Sequence, residues 1–397
     1  MILPEAGWRT RADLVRLTGA LGASEGLVRY VGGAVRDTLL GHPVADLDLA
    51  TSLLPDEVTL RIRAAKFKAV PTGIAHGTVT AVLPSGPVEV TTLRRDVETD
   101  GRRATIAFTD DWREDAARRD FTINALSADP LDGTVHDYFG GLDDIRVGLV
   151  RFIGDPLARI AEDHLRILRF FRFHARFGQG APEPAGLAAC AERANDLMAL
   201  SRERIAQELL KLLAVMHPTP TVALMVAHGI LAPVLPEIDL EGVARLERLV
   251  SRERAYGGDP LRRLAALLPP DPVVAEQVGA RLKLSNAQRK RLVSAAEPEG
   301  AGPARALAQA IGVEQTRDRL LLRSADPTEG MRALEGWTPP RLPIGGGELV
   351  AMGLRAGPQV AATLQAVERQ WVEEDFPDVA RVRAIAEEKV AQALRAR

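Results

Sequence analysis

The stretch that decides the fold is residues 30–51, which reads YVGGAVRDTLLGHPVADLDLAT. The largely apolar run over residues 28–31 predicts a short buried strand, and the pair Gly32 and Gly33 ends it with a turn. Glycine lets the backbone approach a ligand closely, and free N–H groups at the start of the helix predicted over residues 34–40 suit a phosphate. The stretch therefore predicts a strand, turn and helix that face an anionic ligand.

Two aspartates close this stretch. Asp46 and Asp48 alternate with Leu47 and Leu49 in a strand predicted over residues 44–50, so both carboxylates share one face. Two such carboxylates repel each other unless a cation neutralises them, and Mg²⁺ favours one or two carboxylates together with substrate phosphates. A lone glycine pair or Asp-x-Asp is most often a plain turn or a solvated pair. In this order and spacing the two predict a metal- and phosphate-binding site with Asp46 and Asp48 as metal ligands.

Taken together, these motifs resemble the signature of the nucleotidyltransferase superfamily, class II, in the form found in CCA-adding tRNA nucleotidyltransferases and bacterial poly(A) polymerases. Residues 118–126, RRDFTINAL, are similar to a further string of that family. The resemblance implies that Arg119 and Asp120 contact the ribose and phosphates of a bound nucleotide. An aspartate that accepts a hydrogen bond from the 2′-hydroxyl is a physical way to select ribonucleotides. The alternative for this pair is a surface ion pair.

An arginine-rich run follows at residues 162–176, EDHLRILRFFRFHAR. Helical spacing predicts that Asp163, Arg166, Arg169 and Arg172 share roughly one face. An aspartate accepts a hydrogen bond from an exocyclic amino group and an arginine donates in a fixed fork, so the pair can select C and A without a template. The run resembles the family's Glu-Asp-x-x-Arg signature, which implies that Asp163 and Arg166 read the base while Arg169 and Arg172 support them or bind phosphate. The alternative is a solvated helix face with a weak ion pair.

Glu89 lies between two valines in a strand predicted over residues 88–93. If that strand neighbours the one bearing Asp46 and Asp48, Glu89 is positioned to be a third carboxylate. Local sequence alone favours a solvent-facing side chain. The resemblance favours a catalytic role, because the family has an acidic residue in this context.

Two segments bear on the choice within the family. Residues 94–112 are polar and charged, which predicts a mobile loop; it is either a plain surface loop or, as the resemblance implies, one linked to the switch between CTP and ATP. Residues 71–78, PTGIAHGT, are similar to the tRNA enzymes, whereas poly(A) polymerases carry a basic string there.

Composition sets broad limits. The 397 residues suffice for two or three domains, and 46% hydrophobic with 26% charged residues is an ordinary globular profile. The single Cys190 excludes an internal disulfide and fits a reducing compartment. The N-terminus has no signal pattern, and no apolar run is long enough for a membrane span. We therefore expect a cytoplasmic chain that does not associate with a membrane. The sequence predicts no protein partner. The net charge of −2 neither indicates nor excludes a nucleic-acid partner.

The predicted fold is an α/β nucleotidyltransferase head, with a small mixed sheet and helices, over residues 1–148. An all-α remainder follows: a helical neck over residues 149–270 that carries the base-recognition helix, and a helical body and tail over residues 271–397 that is predicted to bind tRNA.

The resemblance implies template-independent addition of C, C and A to the 3′ end of tRNA, with CTP and ATP as substrates, Mg²⁺ as cofactor and pyrophosphate as product. Gly32, Gly33 and Arg36 would then cradle the triphosphate. Four alternatives remain: a poly(A) polymerase that extends RNA 3′ ends, a split-activity enzyme that adds only CC or only A, a sugar transferase using Asp-x-Asp, and a non-catalytic RNA-binding protein. The sugar transferase has no use for the arginine strings, and the intact carboxylate pair argues against the binding protein.

Overall fold

The chain forms two compact units, Met1–Pro236 and Glu237–Arg397. The computed structural model describes residues 1–100, 103–298, 300 and 302–395. In these residues the first unit combines a mixed sheet with helices, and the second unit is helical. The predicted fold class, an α/β head followed by a helical remainder, is confirmed. The finer division at residues 148 and 270 stays a prediction.

Seven strands in the described part of the first unit form one sheet, in the order β3-β4-β5-β2-β1-β8-β9. The pairing is antiparallel except between the fifth strand and the second, which run parallel. A two-stranded hairpin is separate from this sheet. The strands are β1 (Val28–Val31), β2 (Asp48–Thr51), β3 (Lys68–Gly73), β4 (Thr78–Leu83), β5 (Gly86–Thr92), β6 (Arg94–Asp100), β7 (Arg103–Phe108), β8 (Ser127–Ala128) and β9 (Val135–His136).

Helices cover the sheet and extend the first unit beyond it. Leu14, Leu17, Val58 and Ile62 come from two amphipathic helices and pack with Tyr30 of the sheet in one buried cluster. Burying such a side chain fully stabilises the fold by roughly 1.5–3 kcal/mol. The helices of this unit are α1 (Ala12–Ala20), α2 (Gly33–Leu39), α3 (Pro55–Ala64), α4 (Trp112–Ala117), α5 (Gly141–Val147), α6 (Pro156–Glu162), α7 (Arg166–Phe177), α8 (Pro184–Glu192), α9 (Arg202–Leu213) and α10 (Thr219–Ala227).

Two predictions about the strands and loops of the first unit are wrong. Strand β2 begins at Asp48, so Asp46 precedes the strand instead of lying within it. The segment 94–112, predicted as a loop, contains the hairpin β6–β7 and the first residue of α4. The polar composition of this segment indicated a loop, but β6 and β7 pair with each other as a separate hairpin. Gly101 and Arg102, which separate β6 from β7 in sequence, lie outside the described residues.

The helices of the second unit enclose an apolar cluster and, elsewhere, a buried cluster of ion pairs. Near the C-terminus, Val367 and Trp371 pack against Val382 and Ile385 in an apolar cluster. None of the helices in the described ranges is long and apolar enough to cross a membrane. The helices are α11 (Leu240–Arg252), α12 (Pro260–Leu267), α13 (Pro272–Arg281), α14 (Asn286–Ala296), α15 (Ala304–Ile311), α16 (Val313–Arg323), α17 (Thr328–Ala333), α18 (Gly346–Ala351), α19 (Pro358–Glu373) and α20 (Val379–Arg395).

The other interior of this unit is ionic. Glu253 accepts hydrogen bonds from Arg263 (2.5 Å) and Arg262 (3.2 Å). Asp318 accepts from Arg262 (2.7 Å) and from Arg291 (2.5 Å). We call these five residues the buried ion cluster.

Candidate active site

A cavity of about 560 Å³ in the first unit gathers the predicted site residues. It lies between the glycine turn, the Asp46–Asp48 segment, residues 118–124 and helix α7. Every residue predicted for the site except Glu89 lines it, and Arg118, Asn124 and Phe173 are additional. The lining residues are Gly32, Gly33, Arg36, Asp46, Asp48, Arg118, Arg119, Asp120, Asn124, Asp163, Arg166, Arg169, Arg172 and Phe173.

The turn after β1 requires glycine. Gly32 has φ 64° and ψ −122°, a conformation that residues with a β-carbon rarely adopt. A β-carbon on Gly32 would lie 3.0 Å from Arg119 Nη1, so the turn also needs the space. The Gly32 N–H donates to the Leu126 carbonyl at 3.1 Å, which fixes the turn against the next segment of the site.

Arg36 borders the cavity but is held by protein groups. Its Nε donates to Asp37 Oδ1 at 2.8 Å, and its Nη1 donates to Asn124 Oδ1. The guanidinium carbon lies 4.3 Å from the ring centroid of Phe177. Burial lowers the pKa of Arg36, and the charge of Asp37 opposes that shift. Arg36 is therefore fixed in one orientation under the glycine turn.

Asp46 and Asp48 face the cavity as a pair of carboxylates. Burial raises the pKa of Asp48, and the charges of Glu89 and Asp46 raise it further, against the opposing charge of Arg119. Such mutual repulsion suits a divalent cation, which needs only one or two carboxylates when phosphate oxygens complete its shell. The donor set therefore fits a metal ion shared with a substrate.

Glu89 lies opposite Asp48 in the parallel register of β2 and β5. The strand that carries Glu89 therefore does neighbour the strand that carries Asp48. The Glu89 side chain is exposed and does not belong to the cavity lining. The described residues contain no group of three or more His, Cys, Asp or Glu side chains placed to hold a metal. A catalytic role for Glu89 stays a prediction.

Asp115, which the sequence analysis missed, holds the two arginines at the start of the RRD string. It pairs with Arg118 at 2.8 Å and with Arg119 at 3.3 Å. Burial works to raise the pKa of Asp115, but the charges of Arg119 and Arg118 outweigh it, so this pKa lies below its ordinary value. The spacings of three and four residues between Asp115 in α4 and the arginines that follow this helix are the signal that identifies such a partner.

Asp120 is buried and fully engaged by protein donors. Its Oδ1 accepts from the Phe121 N–H and from Asn124 Nδ2, both at 2.9 Å, and its Oδ2 accepts from Arg169 Nε at 2.7 Å and from Arg169 Nη2. Burial works to raise the pKa of Asp120, but the charge of Arg169 and these hydrogen bonds hold it below its ordinary value. A ribose contact by Asp120 stays a prediction.

The spacing predicted that Asp163 shares a helix face with Arg166, and this prediction is wrong. Helix α6 ends at Glu162 and α7 begins at Arg166, and Asp163 between them is extended, with φ −153° and ψ 105°. Its Oδ1 accepts the Leu165 N–H at 3.1 Å, a local bond that competes with continuous helix. Both carboxylate oxygens also accept from Arg204 Nη2, at 3.1 and 2.8 Å.

Arg166 and Arg172 are fixed by other partners. Arg166 donates to Glu162 at 2.5 Å and to the Arg118 carbonyl at 3.0 Å. Arg172 Nε donates to the buried Glu208 at 2.5 Å. Arg204 and Glu208 both lie on α9, 41 and 36 residues from their partners, so no local pattern connects them.

Comparisons with known proteins place the chain among related sequences. Residues 28–151 match the family described as the poly A polymerase head domain, and residues 181–241 match a probable RNA- and SrmB-binding site of polymerase A. The chain is 35% identical over 360 residues to a mitochondrial CCA tRNA nucleotidyltransferase 1 of Danio rerio, covering 87% of this chain and 83% of that protein. A CCA-adding enzyme of Geobacillus thermodenitrificans is 39% identical over 229 residues, which are 57% of this chain and 54% of that enzyme.

A solved structure extends the similarity to the fold. The Bacillus stearothermophilus CCA-adding enzyme in complex with CTP superposes with a TM-score of 0.74 and 27% identity, covering 96% of this chain and 99% of that one. Fold and cavity thus define a nucleotidyltransferase, a class that generally uses a divalent metal ion. The chain belongs to the family of the CCA-adding tRNA nucleotidyltransferases.

Proposed function

We propose that this chain adds C, C and A to the 3′ end of tRNA from CTP and ATP and releases pyrophosphate. The observation that carries the proposal is a cavity in which a carboxylate pair, a glycine turn and an Asp–Arg set come together from distant segments. The names of the relatives, CCA tRNA nucleotidyltransferase and CCA-adding enzyme, support it.

The reacting end of the site is the carboxylate pair. Asp46 and Asp48 are the residues that would hold Mg²⁺, because their oxygens face the cavity and repel each other. When bound, such an ion supplies activation of a hydroxyl and neutralisation of phosphate charge. In the transfer, the 3′-oxygen of the tRNA bonds to the α-phosphorus, the bond to pyrophosphate breaks, and the hydroxyl proton is released.

The triphosphate would lie along the glycine turn and the arginines held by Asp115. Gly32 and Gly33 line the cavity without side chains, and Arg118 and Arg119 present guanidinium groups that bind phosphate in a planar fork. Arg36 adds its charge from beneath the turn, where Asp37 holds it.

Asp163 and Arg166 would read the base. On C and A, an amino donor lies beside a ring-nitrogen acceptor, which matches one carboxylate acceptor and one guanidinium donor. On U and G, the corresponding edge presents a carbonyl acceptor beside an N–H donor, so each contact is mismatched. Arg204 holds the Asp163 carboxylate and Glu162 holds Arg166, so the reading pair does not need to be ordered by the substrate.

A poly(A) polymerase is the second candidate, because residues 28–151 match a head domain named for that enzyme. One experiment separates the two. The purified chain is incubated with Mg²⁺, single nucleotides, and three RNAs: tRNA transcripts ending before CCA or after CC, and an oligo(A) RNA. We expect limited addition of C to the first and of one A to the second. Long A tails on oligo(A) would establish the polymerase instead, and addition of only CC or only A would establish a split-activity enzyme.

Two further predictions belong with this proposal. We infer that the helical body and tail over residues 271–397 contribute to tRNA binding. A cytoplasmic location is also retained as a prediction, although the name of the Danio rerio relative places that protein in mitochondria. Fractionation of the source cells with an antibody against this chain tests the location.

A further inference from the structure

Asn124 is a buried residue of the cavity wall to which the proposed function assigns no role. It ends the short 3₁₀ turn Thr122–Asn124, and only 7% of it is exposed. Its Oδ1 accepts from Arg36 Nη1, and its Nδ2 donates to Asp120 Oδ1 at 2.9 Å. The Asn124 carbonyl also accepts from Arg119 Nη1 at 3.4 Å.

The chemistry of these neighbours explains why an amide lies between them. A guanidinium only donates hydrogen bonds and a carboxylate only accepts them, so the group between Arg36 and Asp120 must accept on one side and donate on the other. The neutral amide of asparagine does both in one fixed orientation. A leucine of similar size would do neither, and an aspartate would place a second carboxylate beside Asp120.

The contacts form one continuous chain across the cavity wall. It runs from Arg36 on α2, behind the glycine turn, through Asn124 to Asp120, and from Asp120 to Arg169 on α7. Asn124 is thus the link between the side of the cavity that would hold phosphates and the helix that carries the arginines.

We propose that Asn124 is a positioning residue of the nucleotide site, which fixes Arg36 and Asp120 for contact with the ribose and phosphates. The inference rests on the proposed function. Ribose and phosphates are common to CTP and ATP, so replacing Asn124 weakens both nucleotides equally. Selection of C and A over U and G, which belongs to Asp163 and Arg166, is unaffected.

The test uses the full chain with Asn124→Leu and Asn124→Asp, and with Asn195→Ala at an exposed position as the matched control. KM and kcat are measured for CTP on tRNA ending before CCA and for ATP on tRNA ending after CC, together with thermal unfolding. We expect KM to rise about tenfold or more for both nucleotides in both Asn124 variants, from loss of a buried hydrogen bond at a charged group. In the Asn124 variants, the preference for CTP over UTP should stay within twofold of the value for the unchanged protein. The control should change neither KM nor this preference.

An unchanged KM in a folded Asn124 variant would overturn the proposal, as would a KM that rises for only one nucleotide. The Asn124→Asp variant keeps the shape and the acceptor for Arg36, so it decides the question if Asn124→Leu fails to fold. Absence of CCA addition by the unchanged chain is a separate outcome, since it refutes the proposed function before any variant is compared.

Discussion

Two networks of arginines and carboxylates in this molecule look alike in composition and differ in what they leave open. The cavity of the first unit is lined by six arginines and four aspartates of the described chain. The buried ion cluster of the second unit joins Arg262, Arg263 and Arg291 to Glu253 and Asp318. In the cluster every charge meets an opposite charge directly, and the two carboxylates are almost fully buried.

In the cavity, by contrast, two of the carboxylates have no arginine partner among the residues that the structure describes. Within the described part of the chain, neither Asp46 nor Asp48 forms an ion pair, and burial with like charges raises the pKa of Asp48. Other lining residues, such as Asp120 and Arg169, are paired as tightly as those of the cluster. Ion pairing therefore supports the wall of the site, while the unpaired carboxylates Asp46 and Asp48 indicate where a substrate and a metal ion would bind.

Removing an unpaired carboxylate should have the largest effect on activity. Asp46→Ala is expected to lower nucleotide incorporation on the order of 10³-fold or more, because metal-assisted charge stabilisation is worth several kcal/mol. The fold should persist, since Asp46 is exposed. Single-turnover incorporation of CTP measures the effect, with Asp110→Ala, also exposed, as the control. Near-normal turnover by the Asp46 variant would remove this residue from the metal site.

Breaking the buried ion cluster should instead cost stability. Asp318→Ala leaves Arg262 and Arg291 without the carboxylate that both contact, and loss of one partner from a buried pair costs about 3–5 kcal/mol. Denaturant unfolding measures the free energy, with exposed Glu387→Ala as the control. The KM for CTP of the folded variant should be unchanged. A loss below about 1 kcal/mol in the free energy of unfolding would contradict this expectation, because it would match the small contribution of solvent-exposed ion pairs.

Base selection should respond to Asp163 with a smaller change. In Asp163→Ala, we expect the preference for CTP over UTP to fall about 10- to 100-fold, because the amino group of C loses its acceptor. Incorporation of each nucleotide is measured separately on tRNA ending before CCA. Asp143→Ala, at an exposed position, serves as the control. If discrimination against UTP and GTP is retained, Asp163 does not read the base.

The smallest effect concerns stability and pH at Asp48. Its folded-state pKa is raised by burial and by Glu89 and Asp46, so its contribution to stability is favourable below its ordinary pKa of 3.8 and is lost as pH rises through the raised value. Ionised Asp48 therefore destabilises the metal-free fold at pH 7. Asp48→Asn should raise the Tm slightly at pH 7, and the difference should disappear below the ordinary pKa of 3.8.

Thermal unfolding of both proteins without metal, at each pH, tests this sign. A lower Tm for the Asp48→Asn variant at pH 7 would contradict it. Added Mg²⁺ should then raise the Tm of the unchanged protein and leave that of the variant unchanged, because binding to the folded state stabilises it.

Much of the cavity was predictable from short strings, because each string specifies its own local geometry. The strand β1 was predicted with its bounds, and the turn at Gly32 follows from the conformation that only glycine adopts readily. The order of the strings then identified residues that the fold gathers around one cavity. Their individual roles stay predictions.

The remaining features depend on tertiary contacts that a local pattern does not contain. Asp163 leaves the helix because its own side chain accepts a nearby N–H, and Arg204 then reaches it from another helix. Glu208 is joined to Arg172 in the same way. The hairpin β6–β7 was missed because the polar and charged composition of residues 94–112 was taken to indicate a loop, whereas β6 and β7 pair with each other in a separate two-stranded sheet.

Sequencing the 3′ ends of the products is the most direct test of CCA addition by this cavity. A tRNA transcript ending before CCA is incubated with the chain, Mg²⁺ and all four nucleotides together, and the 3′ ends are read. We predict one dominant product that ends in CCA and grows no further, absent with Asp46→Ala. Tails of A, or ends that contain U and G at comparable frequency, would contradict the claim that this cavity selects C and A and builds the CCA end.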